Sequence, residues 1–322
     1  MPHALIAPDS FKGTLPAQQV ADALARGFED KGWTADRCPL ADGGEGTAAV
    51  LMAALGGERI PARATDPLGR AIDASWVLLA DGGTAVVDVA EASGLALLEP
   101  AEMDPLSASS FGTGELIASA ASRAQKVLVA VGGSATNDGG RGALDAIAET
   151  GGIGSVEIVC LCDVETPWEL ASSTFGPQKG ADPDAVVELE KRLERFAAEL
   201  PRDPRGLART GAAGGLAGGL WAAHDAELVS GAAYVCDAVG IDERIARANL
   251  VVGGEGRLDD TTLEGKVLAE LASRCVRAGK PLSAVVGRDA AGPDLRLRLG
   301  LSEILEASDA AALVAAARSL VA

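Results

Sequence analysis

Residues 127–140, Val-Leu-Val-Ala-Val-Gly-Gly-Ser-Ala-Thr-Asn-Asp-Gly-Gly, constrain this chain more than any other stretch. They open as a short run of β-branched and aliphatic residues, the composition of a strand buried on both faces. The run breaks at Gly132-Gly133 into a loop with two hydroxyls, an amide and a carboxylate, and closes at Gly139-Gly140. A strand that ends in glycines and small polar groups offers bare backbone N–H donors to a ligand. Ser134 and Thr136 add hydroxyls suited to phosphate, and Asp138 is a candidate for Mg²⁺. The competing reading is a turn that caps the next helix, because Asn, Asp and Gly are ordinary turn residues.

Other loops repeat the arrangement. Residues 4–7 are apolar and lead into Asp9-Ser10-Phe11-Lys12-Gly13-Thr14, after which Val20, Leu24 and Phe28 recur at helical spacing. This strand–loop–helix order puts Lys12, between the hydroxyls of Ser10 and Thr14, where open α/β sheets bind ligands. A solvated surface lysine is the alternative. Next, Asp42-Gly43-Gly44-Glu45-Gly46-Thr47 sets two carboxylates among three glycines ahead of a helical segment. Near Asp66 the texture changes from strand–helix alternation to a hairpin turning at Asp81-Gly82-Gly83, so a domain boundary is expected there.

Further on, Phe175-Gly176-Pro177-Gln178-Lys179-Gly180-Ala181 is a polar loop with one cation, followed by an amphipathic helix that buries Leu189, Leu193 and Phe196. Residues 210–220 read as a helix whose glycines allow close packing. Gly253-Gly254-Glu255-Gly256-Arg257-Leu258-Asp259 then follows the apolar Leu250-Val251-Val252. Arg257 suits a phosphate or carboxylate, or else an internal salt bridge.

Composition narrows the function. A chain of 322 residues is long enough for two domains. A net charge of −18 and 3% aromatic residues leave neither a basic stripe nor a stacking platform, which argues against nucleic acid as a partner. Five scattered cysteines and two histidines offer no His-based metal site and read as buried thiols in a reducing cytosol. With no signal-like segment and no apolar run long enough for a membrane span, a cytoplasmic location is expected. Glycine loops at strand ends, bearing hydroxyls and carboxylates, suit phosphoryl transfer. Neither G-x-x-x-x-G-K-[ST] nor G-x-G-x-x-G occurs.

Taken together, these segments resemble the type 1 glycerate kinase family. The resemblance lies in the loops beginning at Asp9, Asp42, Gly132, Phe175, Gly211 and Gly253, and in Gly112-Thr113-Gly114-Glu115-Leu116-Ile117. It spans nearly the whole chain. It implies an α/β protein of two α/β domains with the active site in the cleft between them. One is flavodoxin-like and discontinuous (residues 1–65 and 240–322); the other is inserted, with a mixed sheet (residues 66–239). It also implies ATP-dependent, Mg²⁺-assisted phosphorylation of D-glycerate, with 2-phosphoglycerate favoured, by a phosphotransferase acting on an alcohol group.

On that basis Gly132, Gly133, Ser134, Thr136 and Asn137 would hold the nucleotide, and Asp42 or Asp138 the metal. Asp42 or Asp259 would accept the hydroxyl proton. Ser10, Lys12, Lys179 and Arg257 would meet the substrate or the transferring phosphoryl. The expected partners are D-glycerate and ATP, with no nucleic acid and no membrane, in a monomer or homodimer. A kinase for another small hydroxy acid and a non-catalytic ligand-binding relative are the rival readings. The chain departs from the family pattern where Gly151-Gly152-Ile153-Gly154-Ser155 replaces a longer excursion. It departs again at Asp163-Val164-Glu165-Thr166-Pro167-Trp168, which lacks the usual asparagine and glycines.

Overall fold

The computed structural model describes residues 1–162, 164–264 and 266–321; Asp163 of the divergent segment lies outside them. The strands in chain order are β1 (His3–Pro8), β2 (Thr34–Arg37), β3 (Gly57–Thr65), β4 (Ala71–Leu79), β5 (Thr84–Asp88) and β6 (Lys126–Ala130). They continue as β7 (Glu157–Cys162), β8 (Glu227–Ser230), β9 (Leu250–Leu258), β10 (Leu282–Asp289) and β11 (Leu301–Glu306). The chain is α/β throughout and divides into two compact units, Met1–Asp42 with Ala232–Ala322, and Gly43–Gly231.

The first unit holds a parallel sheet in the order β2-β1-β9-β10-β11. From β1 the chain runs outward to β2, and on its return β9 pairs on the other side of β1. The reversal of strand order therefore lies between β1 and β9, the flavodoxin-like pattern in which ligands bind beyond the strands' carboxyl ends. β1 is almost wholly buried, as its apolar Ala4, Leu5, Ile6 and Ala7 require of a central strand. Helices Ala17–Glu29 and Ala310–Ser319 pack on one face, where Val20, Leu24, Phe28 and Leu313 join Ile6, Val252 and Val285 in the core.

In the second unit β3-β4-β5-β6-β7-β8 form a mixed sheet. The β3–β4 and β4–β5 pairs are antiparallel, and β5 to β8 run parallel. The β4–β5 hairpin turns at Asp81, whose carboxylate accepts the Gly83 and Thr84 amides at 2.9 Å. Trp76, Val87, Leu116, Val129, Ile147 and Cys160 fill its core.

The crossings between units fall after Asp42 and before Ala232, where the sequence reading put them near Asp66 and residue 240. The reason is β3, which pairs along its whole length with β4 and so binds residues 57–65 to the second sheet. The run at residues 210–220 also differs from the expected single helix. Arg209, Ala213, Gly214 and Gly215 take positive φ, and the helix begins only at Leu216. Residues 151–154 make a tight connection into β7, with Gly151, Gly152 and Gly154 at positive φ. Among the described residues no helix is long and apolar enough to cross a membrane.

Candidate active site

In the first unit, a cavity of about 340 Å³ opens at the carboxyl ends of β1, β9 and β10. Ser10, Lys12, Asp42 and Arg257, all singled out from the sequence, line it together. Asp9, Glu255, Lys266 and Arg288 line it too, and these the sequence reading did not select. Asp9 follows β1 and Glu255 lies within β9, so the acids flank the point where strand order reverses. That adjacency comes from sheet order, which spacing along the chain does not print.

The charges in this cavity are partly matched. Lys12 Nζ, on an exposed side chain, lies 3.8 Å from Oδ2 of buried Asp42. Asp9 is buried and its Oδ1 accepts the Ser10 amide at 2.5 Å. Burial, reinforced by the Asp42 carboxylate, raises Asp9 far above the usual carboxylate range. Glu255 is buried too; desolvation pushes it up to about 7, although Thr262 Oγ1 donates to it at 2.8 Å.

Asp259 behaves in the opposite way. It accepts the Thr261 hydroxyl at 2.6 Å and the Thr261 amide at 3.1 Å, and Arg257 Nε lies 2.9 Å away. These bonds hold Asp259 below the ordinary carboxylate value, led by the Thr261 hydroxyl. A carboxylate so stabilised as the anion is a poor proton acceptor, so the expected base role does not fit Asp259. It anchors Arg257 instead.

In the second unit, residues 131–140 follow β6 and lead into helix Arg141–Glu149. Their backbone is more committed than expected. The Gly132 amide donates to the Gly43 carbonyl at 3.0 Å, and the Ala135 amide to Ser93 at 2.8 Å. Gly132 is thus a brace, not an open phosphate donor. Lys179 is buried, and its ammonium donates to Ser134 Oγ at 2.9 Å and to the Thr136 carbonyl at 2.6 Å. The residue expected to meet substrate therefore underpins the loop.

Asp138 is held by its neighbours too. Its Oδ1 accepts the Gly140 amide at 2.9 Å. Its Oδ2 accepts from the Ser110 amide at 2.9 Å, the Ser110 hydroxyl at 2.8 Å and the Gly142 amide at 3.1 Å. These bonds cap the helix and tie residues 110 and 138 together, and Oδ1, with one donor, is the oxygen with a lone pair to spare.

Thr136 Oγ1 and both amide atoms of Asn137 are buried and lack a hydrogen-bond partner among the described residues. Buried polar groups are rarely left so, and those that are call for an explanation in function or strain. Gly214, at φ +66°, packs against them: a Cβ there would stand 2.0 Å from the Thr136 carbonyl oxygen and 2.7 Å from the Asn137 amide oxygen. Close packing also explains Gly112 and Gly114, where a Cβ would meet the Thr65 carbonyl at 1.8 Å and the Ala143 carbonyl at 2.3 Å. That segment is architectural.

A hard-cation site needs little more than the first cavity offers. Among the described residues no cluster of three or more His, Cys, Asp or Glu is arranged to cage a metal. Mg²⁺, however, typically takes one or two carboxylates and fills its remaining positions with phosphate oxygens and water. Asp9 and Asp42 meet that requirement.

The chain resembles known proteins over most of its length. The model of the glycerate kinase family matches residues 4–153 and 150–319, two pieces that meet at the tight connection into β7. Glycerate 2-kinase of Escherichia coli K12 is 38% identical over 321 residues, covering 88% of this chain and 84% of that protein. Glycerate kinase of Bacillus subtilis 168 is 36% identical over 324 residues, covering 88% and 84%. A Salmonella typhimurium LT2 crystal structure assigned as glycerate kinase 2 superposes with a TM-score of 0.82 at 33% identity. It covers 99% of this chain and 97% of its own.

Proposed function

The chain belongs to the glycerate kinase family and is a kinase, and from that premise we propose that it transfers the γ-phosphoryl group of ATP to D-glycerate, giving 2-phosphoglycerate. The motif set resembles that of the type 1 branch, and the E. coli relative carries the 2-kinase name. The observation that carries the reading is the first unit's cavity, which gathers cations and buried carboxylates at the switch point of a parallel sheet.

In this reading the glycerate hydroxyl oxygen attacks the γ-phosphorus and forms the new P–O bond as the bond to the β-phosphate oxygen breaks. ADP leaves, and the hydroxyl proton passes to Asp42. Lys12, 3.8 Å from Asp42, holds that carboxylate in place and offsets charge on the transferring group. Arg257, fixed by Asp259, adds a second cation. Asp9, at the end of β1, would hold the Mg²⁺ that accompanies the nucleotide, and the ion would neutralise phosphate charge. In the second unit the loop at Gly133, Ser134, Thr136 and Asn137, stiffened by Lys179, is assigned to the nucleotide phosphates. These local cations also answer the net charge of −18, since a cavity of positive potential draws anions onto an acidic protein.

A coupled assay of ADP formation with D-glycerate tests the reading, and ³¹P–¹H NMR of the product identifies the phosphorylated carbon. Folded protein that forms no ADP with D-glycerate sinks it. A 3-phosphoglycerate product would correct the position alone.

A further inference from the structure

The first unit's cavity holds one more cation than its internal pairs use. Lys12 faces Asp42, Arg257 is bonded to Asp259, and Lys266 donates to Thr261 Oγ1 at 2.7 Å. Arg288 lines the same cavity, and its exposed guanidinium makes no hydrogen bond or ion pair among the described residues.

Its position is set by the sheet. β9 and β10 are parallel, and their register puts Arg288 beside Arg257. Registered neighbours project from the same face with Cβ atoms about 5 Å apart. Glu255, two residues before Arg257, shares that face. Gly256 and Gly287, paired between them, leave no bulk there: a Cβ on Gly287 would stand 2.5 Å from the Gly256 carbonyl oxygen. Two guanidiniums are therefore held abreast at one cavity, in a chain whose other charges are mostly negative. Such a pair repels itself unless an anion lies against it.

We propose that Arg288 is the carboxylate anchor of the substrate site, and that it selects a hydroxy acid over a neutral polyol. The inference rests on the phosphoryl-transfer reading of this cavity and names the group that recognises the acceptor. Arginine suits the task because its planar fork meets both oxygens of a carboxylate at once, which a lysine ammonium cannot. Arg257 is already tied to Asp259 and Lys12 faces Asp42, so each has a charge partner before substrate enters. Arg288 keeps its donors for the ligand. A polyol of the same size offers those donors no charge, and the charge-assisted pair is lost.

The test uses the full chain and its Arg288→Ala and Arg288→Lys variants, with circular dichroism confirming the fold. Steady-state kinetics are measured with D-glycerate and with glycerol, and calorimetry follows D-glycerate binding without nucleotide. For Arg288→Ala we expect the KM for D-glycerate and its calorimetric Kd to rise about 10- to 100-fold, the loss of one charged hydrogen-bonded pair. The KM for ATP should stay at its wild-type value, the preference for glycerate over glycerol should shrink by the same factor, and Arg288→Lys should recover part of the loss. Unchanged glycerate affinity in Arg288→Ala, with an active wild type, overturns this inference and leaves the kinase reading standing. A wild type that neither binds nor phosphorylates D-glycerate overturns both.

Discussion

Asp88 Oδ2 accepts the backbone N–H of Gly46 at 3.0 Å, while Oδ1 accepts that of Ala48 at the same distance. A strand-end carboxylate thus caps helix Thr47–Leu55 from 40 residues away and fixes the loop that begins at Asp42. Desolvation is the main cause pushing Asp88 up to about 7, against the two amides that lower it. The folded protein therefore binds a proton between about pH 4 and 7 that the unfolded chain has released. Stability from this group is present below that window and is lost as pH rises through it. Denaturant midpoints of the wild type should fall between pH 5 and 8, and Asp88→Asn should flatten that part of the profile. Asp88→Ala, which strands both amides, should cost about 2–3 kcal/mol below pH 4 and progressively less as pH rises through that window.

Lys12 and Asp42 test the chemistry. Lys12 is exposed, so Lys12→Ala should leave the unfolding midpoint within about 0.5 kcal/mol of wild type. Its kcat should nevertheless fall, and Asp42→Asn should lower kcat by about 10²- to 10⁴-fold, the usual range for losing a proton acceptor. The ADP-coupled assay reads both. Unchanged rates in both variants would remove these residues from the mechanism.

Asp259→Asn separates an anchor from a base. Because Asp259 serves Arg257 and the Thr261 turn, the variant should raise KM for glycerate more than it lowers kcat. A drop in kcat as deep as that of Asp42→Asn would restore Asp259 as proton acceptor.

Gly214→Ala should damage the second unit's loop without removing a polar group. The added Cβ would fall 2.0 Å from the Thr136 carbonyl oxygen, at a φ of +66° that alanine adopts at a cost. We expect about 2–4 kcal/mol lower stability in urea unfolding and a higher KM for ATP.

How far the sequence carries can be seen residue by residue. β6 and its loop were readable because a β-branched run broken by glycines has few other folds. β3 was not, since Gly-Glu-Arg-Ile-Pro-Ala-Arg-Ala-Thr alternates weakly and contains Pro61. Proline in a strand signals an edge, and β3 is the edge of its sheet. The positive φ values of Arg209 and Ala213 broke the expected helix at 210–220, and neither residue type advertises that conformation. The tie between Asp138 and Ser110 was not legible, because Ser110, which donates to its Oδ2, lies 28 residues upstream. Asp9, Glu255 and Arg288 share a cavity only because β1, β9 and β10 are neighbours in the sheet. Lys12, Asp42 and Arg257 could be chosen without that knowledge, because each stood in a glycine-bearing stretch after an apolar run, although Arg257 proves to lie within β9 itself.

The pairing of β1 with β9 has a consequence for biosynthesis. The His3 amide donates to Asn249 Oδ1, a contact spanning 246 residues, and β1 has its long neighbour only when β9 is present. Residues 43–231 form a contiguous unit that can close on itself as it leaves the ribosome, whereas β1 and β2 must wait, uncovered on one edge, until the last strands follow. Such long-range parallel pairing is slow to form. The first unit's cavity is consequently among the last features of the molecule to exist, and a nascent chain stalled before β9 carries Lys12 and Asp42 with no Glu255, Arg257 or Arg288 to meet them.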